Sequence, residues 1–261
     1  MNARLPLSRR DVIASRLATG QSVLAAELAV EFEISEDAIR RDLRALAADG
    51  KCRRVYGGAL PLESVLHPNS ARAAGPSDRA RMLAKTAAGM IERGEFVFLD
   101  GGSINREIAD LLPRDAEIAV ATNSPDIAAA LIRRADIPLV MVGGAVNLST
   151  GTCIDAEAIF AVESMNIDRC FIGACSVASA SCVGVRDYAD ALFKKSLIKR
   201  SSHRHAFATS ESFQEHGPHR IAEPADVDSL IVDNELSEGK VVALRSAGFE
   251  LLRAGVAVLL K

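Results

Sequence analysis

Apolar positions recur three and four residues apart through the first sixty residues of the chain, the spacing of one face of a helix. Val12, Ile13 and Leu17 make one stripe, Leu24, Leu28 and Phe32 a second, and Ile39, Leu43 and Leu46 a third. Helix one is expected from Ser8, with Asp11 three residues on, and Gly20 can end it. Helix two is expected after Ser22. Helix three is expected from Ser35, a good N-cap residue, to Gly50. Lys51 to Tyr56 then has room for a small wing before Gly57 and Gly58.

Residues 61–77 hold three prolines and a glycine with weak periodicity, which predicts a linker. From about residue 78 the pattern changes. Short apolar runs at 95–100, 117–122, 138–144, 169–174, 204–209, 229–233 and 255–260 predict buried strands, with helical stretches such as 80–92, 125–134 and 187–201 between many of them. This alternation predicts an α/β fold: a winged helix-turn-helix over 1–60, the linker 61–77, and an open, mostly parallel α/β domain over 78–261.

Composition narrows the classes. Hydrophobic residues make up 49% and charged residues 25%, which is globular and argues against disorder. No apolar run approaches the roughly 18–20 residues that a membrane span needs. The opening MNARLPLSRRD has charge but no apolar core after it, so the chain is expected in the cytoplasm, away from membranes. The five cysteines (Cys52, Cys153, Cys170, Cys175 and Cys182) form no C-x-x-C pair, and their spacings favour buried, reduced thiols over a zinc or redox centre.

The net charge of −3 is unevenly distributed. Residues 1–60 carry ten basic and eight acidic groups, and the remainder 21 and 26. Residues 40–54 carry six basic and two acidic groups. At 100° per residue Arg40, Arg41 and Arg44 fall off the apolar stripe of helix three and project outward. A helix fits the DNA major groove, where arginine bonds guanine bidentately or clamps phosphate. Arg53 and Arg54 on the wing would add backbone contacts. Taken by itself, such a face also reads as the solvated side of a small helical domain.

The string ELAVEFEISEDAIRRDLRALAADGKCRRVYGGA separates the two readings. It resembles the DeoR family of bacterial transcriptional regulators. Glu27, Leu28, Phe32, Ser35, Ile39, Arg40, Arg41, Asp42, Leu43, Leu46, Gly50, Arg54, Gly57, Gly58 and Ala59 all match the family pattern. Ala38 stands where the family has threonine, which suggests one lost phosphate contact. Asp42 beside two arginines is explained as orienting an arginine or helix two rather than facing DNA.

The resemblance continues more weakly to the end of the chain. It implies a sensor domain that resembles ribose-5-phosphate isomerase and binds a phosphorylated sugar or related metabolite. The motifs that carry it are Asp100, Gly101, Gly102, Ser103, Ile104 and Asn105; Thr122, Asn123 and Ser124; Gly143 and Gly144; and Phe171, Ile172, Gly173 and Ala174. Each follows a predicted strand, and open α/β sheets bind ligands beyond the carboxyl ends of their strands. Lys194 and Lys195 match a lysine-containing pair in a helix, where a lysine either meets a phosphate or covers the helix surface. The expected effector-binding set is therefore Asp100, Gly101, Gly102, Ser103, Asn105, Thr122, Asn123, Ser124, Gly143, Gly144, Gly173 and Lys194.

Departures from the family cluster here. Ile104 and Asn105 replace two threonines of the phosphate loop, Asp155 replaces a glycine, and Thr209 to Phe213 stands where the family has an aspartate and a lysine. Such changes make an anion less welcome. His203 with His205, and His216 with His219, have spacings that could seat a metal, but surface histidines explain them as well. No metal or cofactor is expected, and no constellation of base, acid and nucleophile stands out.

The expected function is a DNA-binding transcriptional regulator, a repressor of carbohydrate-metabolism genes released or engaged by a small metabolite. Its expected partners are a double-stranded DNA operator, that metabolite, and further copies of itself in a dimer or tetramer. Two alternatives stay open: an isomerase-like sugar-phosphate enzyme with an appended DNA-binding segment, and a regulator that has lost ligand sensing.

Overall fold

The computed structural model describes residues 9–18, 23–55, 57–61, 77–114, 116–173, 176–178, 182–213 and 217–255. The chain divides into two compact units, Met1–Leu66 and His67–Lys261. Ser8, Gly20, Ser22, Tyr56, Ala174, Cys175 and His216 lie outside the described residues, as does 62–76 of the expected linker.

The first unit holds α1 (Arg9–Ala18), α2 (Ala25–Glu31) and α3 (Glu36–Ala48). Around them lie β1 (Val23–Leu24), β2 (Cys52–Val55) and β3 (Gly58–Pro61). Ile13 and Leu17 of α1, Leu28 of α2, and Ile39, Leu43 and Leu46 of α3 close one apolar core with Val23, Cys52 and Ala59. The third stripe is as expected. The second is corrected: Leu24 is 52% exposed and belongs to β1, and Ala25 takes the buried position. Leu24 pairs as a strand with Gly58, so its side chain leaves the helical register. The wing is a β2–β3 hairpin with β1 added on the other side of β3.

The second unit is built on a seven-stranded sheet. Its strands are β4 (Phe96–Leu99), β5 (Ala119–Thr122), β6 (Leu139–Met141), β9 (Ile167–Ile172), β12 (Ser201–Ala208), β14 (Ser229–Val232) and β15 (Leu251–Arg253). Their order is β15-β14-β12-β9-β4-β5-β6, and every pairing is parallel. Between the strands run α4 (Asp78–Ala88), α5 (Ser103–Leu111), α6 (Pro125–Arg134), α7 (Ala156–Glu163), α8 (Tyr188–Lys199) and α9 (Glu238–Ser246). Alternate residues feed two cores. Phe98, Cys170, Ile172 and Ala206 pack into one, and Val97, Leu99, Phe171 and Phe207 into the other.

The last strand of the described residues was not expected. Among the described residues it is β15, parallel to β14, which the sequence pattern omits; the expected run 255–260 lies outside them beyond Gly255. Gly255 sits in a turn with φ of 82°. Leu251 and Leu252 carry the pairing with Leu230 and Ile231. The sequence pattern also omits the β7–β8 hairpin (Val146–Asn147 and Thr152–Cys153) and the small antiparallel sheet of β10 (Ser176–Ala178), β11 (Cys182–Val185) and β13 (His219–Ala222). Cys52, Cys153, Cys170 and Cys182 are buried, and burial pushes the Cys170 thiol up to about 12. All four are free thiols.

From β4 the chain runs to β5 and β6 on one side, then crosses to β9 on the other. Strand order therefore reverses between β4 and β9, and the crevice beyond their carboxyl ends is the place where doubly wound sheets bind ligands.

Candidate nucleic-acid interface and effector site

In the first unit the exposed side of α3 carries Arg40, Arg41 and Arg44. Ser35 caps the helix, its Oγ accepting from the Ala38 N–H at 3.4 Å. The three arginines are not equivalent. Arg40 is held by Glu36 at 2.7 Å and lies 3.7 Å from Asp37. Arg41 donates from Nε to the Asp37 carbonyl at 3.3 Å. Arg44 has no side-chain partner among the described residues. Its five donors are free for an external acceptor.

Asp42, also on α3, turns inward and is 6% exposed. It accepts from Arg9 Nε at 2.7 Å and pairs with Arg10 at 3.4 Å. It therefore ties α3 to α1: of the two expected roles it orients an arginine, Arg9 of helix one, and not helix two. On the wing, Arg53 and Arg54 stand in β2 opposite Leu60 and Ala59, and Arg54 is exposed.

In the second unit four expected residues meet at the carboxyl ends of β4 and β9. Asp100 is 1% exposed. Its Oδ2 accepts from the Gly173 N–H at 2.9 Å and lies 3.2 Å from Lys194 Nζ. Lys194, buried on α8, also donates to Asp190 Oδ1 at 2.5 Å. Burial pushes the Asp190 carboxyl up, against the pull of Lys194. Asn105 donates from Nδ2 to the Phe171 carbonyl at 2.9 Å. Gly173 has no substitute: a Cβ there would stand 2.1 Å from the Gly101 carbonyl oxygen. Gly102, with φ of 128°, opens α5 without a side-chain cap and leaves Ser103 exposed beside it.

Several polar atoms here are buried with no hydrogen-bond partner. They are Asp100 Oδ1, Asn105 Oδ1, and both amide atoms of Asn123. Asn123 is fully buried just beyond β5. Buried polar atoms are nearly always paired, so four orphans from three residues at one sheet edge call for an external partner.

The other expected residues play different parts. Thr122 Oγ1 accepts from the Ser124 N–H at 3.1 Å, and Ser124 Oγ caps α6 from Ile127 at 3.5 Å, so both hydroxyls serve the turn. Gly143 and Gly144 are exposed beyond β6. The neighbouring Asp155 caps α7, accepting from Ala145 at 2.7 Å and Ala158 at 3.0 Å, and these bonds hold its carboxyl below the usual range. Its charge is taken up by backbone donors. Ile104 is buried in the core. Lys195 is exposed while its neighbour Lys194 is buried.

Asp190, which stands where the family usually has a glutamate, is not in the expected effector-binding set, yet it meets Lys194 here. Its i, i+4 spacing to Lys194 is the available signal, but that spacing also describes a surface ion pair. Among the described residues the histidines do not converge. His205 is buried between Arg169 and Ser229, His203 is exposed, and His219 lies edge-on to Tyr188.

A capped helix with an outward arginine beside a β-wing, followed in the chain by a doubly wound domain with unpaired polar atoms at its switch point, defines a class: a winged-helix DNA-binding regulator with an α/β sensor domain. Residues 9–65 match the DeoR-like helix-turn-helix domain, and residues 77–234 match the DeoR C terminal sensor domain. The chain belongs to the DeoR family of DNA-binding transcriptional regulators.

Relatives match along most of their length. The glycerol-3-phosphate regulon repressor of Escherichia coli (strain K12) is 26% identical over 212 residues, covering 81% of this chain and 84% of that protein. The HTH-type transcriptional regulator GlpR of Haloferax volcanii is 25% identical over 246 residues, covering 94% and 96%. Among solved structures, the full-length sorbitol operon regulator SorC from Klebsiella pneumoniae is 10% identical with a TM-score of 0.39, covering 89% of this chain and 97% of that one. Among the described residues, no helix is long and apolar enough to cross a membrane.

Proposed function

We propose that the chain is a repressor of carbohydrate-metabolism genes, acting in the cytoplasm as a dimer or tetramer and controlled by a small hydroxyl-rich metabolite such as a phosphorylated sugar. The observation that carries the effector reading is the set of orphaned atoms on Asp100, Asn105 and Asn123 beside the buried Lys194. Unpaired acceptors and an unpaired amide suit hydroxyl groups, and the uncapped start of α5 at Ser103 suits an anionic end. Names of relatives point the same way, since one is a glycerol-3-phosphate regulon repressor. On the DNA side, Arg44 is the base reader, Arg40 and Arg41 flank it, Ser35 fixes the helix start, and Arg53 and Arg54 hold phosphates. Two copies are required because paired helices read half-sites at a fixed spacing. The effector works by binding the DNA-competent and incompetent states unequally.

Ile104 favours a second reading. Its core position removes a hydroxyl from the phosphate loop, as in a regulator that no longer senses a ligand.

Footprinting on DNA upstream of its own and neighbouring genes separates the readings. The expected result is a protected operator, with protection changed by one member of a panel of phosphorylated sugars and polyols. Protection that no member alters, with no shift in melting midpoint, means the ligand-blind reading. Absence of any protected site contradicts the proposal itself.

A further inference from the structure

We propose that the outer edge of β6 is a self-association surface, paired antiparallel with β6 of a second copy about a two-fold axis at Val140. Among the described residues, β6 ends the seven-stranded sheet and hydrogen-bonds only to β5. Pro138 gives its carbonyl to Val120, and Val142 gives its N–H to Thr122. The backbone groups of the even residues therefore face β5. Those of Leu139 and Met141 face outward, with no partner among the described residues.

That parity is self-complementary. In an antiparallel pair, hydrogen-bonded and non-hydrogen-bonded residue pairs alternate. A dyad at Val140 sets Leu139 of each copy against Met141 of the other, and both of these present outward N–H and C=O groups. Val140 then faces its own mate in the close, non-hydrogen-bonded position. No shift of register is needed, and the two sheets join into one.

The side chains identify the occupant as another copy. Residues 137–154 contain no charged side chain and no histidine, a run of 18 residues that includes the whole edge. Solvent-facing edge strands are usually guarded by charge, and this one has none. Val140 is 44% exposed, Met141, Val146 and Leu148 are exposed too, and Leu148 reaches 73%. A charged partner finds nothing here to pair with, whereas an identical copy meets apolar residues at no electrostatic cost. Charges appear only at the ends of the run, and they are already satisfied. Arg134 holds Asp136 at 2.8 Å, and Asp155 is held by backbone N–H groups. The apolar centre and satisfied polar border have the layout of an interface.

The proposal rests on the oligomer reading above, and sedimentation of the full chain tests both. Wild type is expected at two or more chains, and V140K, which sets two ammonium groups face to face, at half the wild-type mass with an unchanged far-ultraviolet spectrum. V140C provides a version that keeps side-chain size. It is expected to form a disulfide-linked dimer under mild oxidant, where wild type does not. A wild type that sediments as a single chain overturns both readings. V140K at full wild-type mass, or V140C that stays uncrosslinked, overturns the β6 edge alone.

Discussion

At the scale of single residues, Asn123 carries the most information. Both ends of its amide are buried and unpaired, an arrangement that costs stability unless something else binds there. Asn123→Leu keeps the size and removes the unpaired groups. In the absence of effector the variant is expected to unfold at equal or higher urea, with a gain of about 1–3 kcal/mol. It is also expected to lose its response to the effector. A loss of stability of similar size in N123L would mean that the amide has a structural role. Asn123 and Asp100 were legible in the sequence because each directly follows an apolar strand run. The burial of Lys194 was not, because a lysine on a helix reads equally as solvated surface. Asp42 was half legible. An acid beside two arginines reads as an orienting residue, but only the packing of α1 on α3 shows Arg9 as its partner.

At the scale of elements, the helices and the central strands were the readable part. α3 announces itself by a serine cap and an apolar stripe, and α6 runs over the expected 125–134. The two- to four-residue strands β1, β7, β8, β10, β11 and β13 are too short to show a period, and pairing partners far away in sequence decide them. Strand order was not legible either. It also decides how one buried network joins the sheet. Arg169 on β9 is bidentate to Glu95 just before β4, and its guanidinium meets His205 Nε2 on β12 at 2.9 Å. His205 Nδ1 lies 2.8 Å from Ser229 Oγ on β14. Burial, helped by Arg169, lowers the His205 pKa to about 3. The ring is therefore neutral when folded, while in the unfolded chain it takes a proton near its usual 6.5. Stability is complete above that value and is lost as pH falls from it toward 3. By pH 5 the loss is about 2 kcal/mol. Urea unfolding at pH 7.5 and pH 5 should show this loss in wild type and not in H205Q. Equal losses in the two proteins would remove the histidine from the account.

At the scale of the whole molecule, charge is distributed by task, but less simply than counting residues suggests. The excess of basic groups over 40–54 is partly spent within the first unit: Arg40 is held by Glu36, and the acidic Asp42 is turned inward against Arg9 and Arg10. Arg16 of α1 is likewise paired with Glu31. Arg44 and Arg54 are left exposed, one on the helix and one on the wing. They should differ in kind, the first reading bases and the second holding the backbone. The central claim is that α3 reads an operator through Arg44, and the direct measurement is a titration of wild type, R44A and R54A on the footprinted operator and on a scrambled duplex at several salt concentrations. R44A should lose about 1–3 kcal/mol on the operator and little on the scrambled duplex, whereas R54A should weaken both alike and flatten the salt slope by about 1. An R44A protein that binds the operator as tightly and as selectively as wild type would contradict the account.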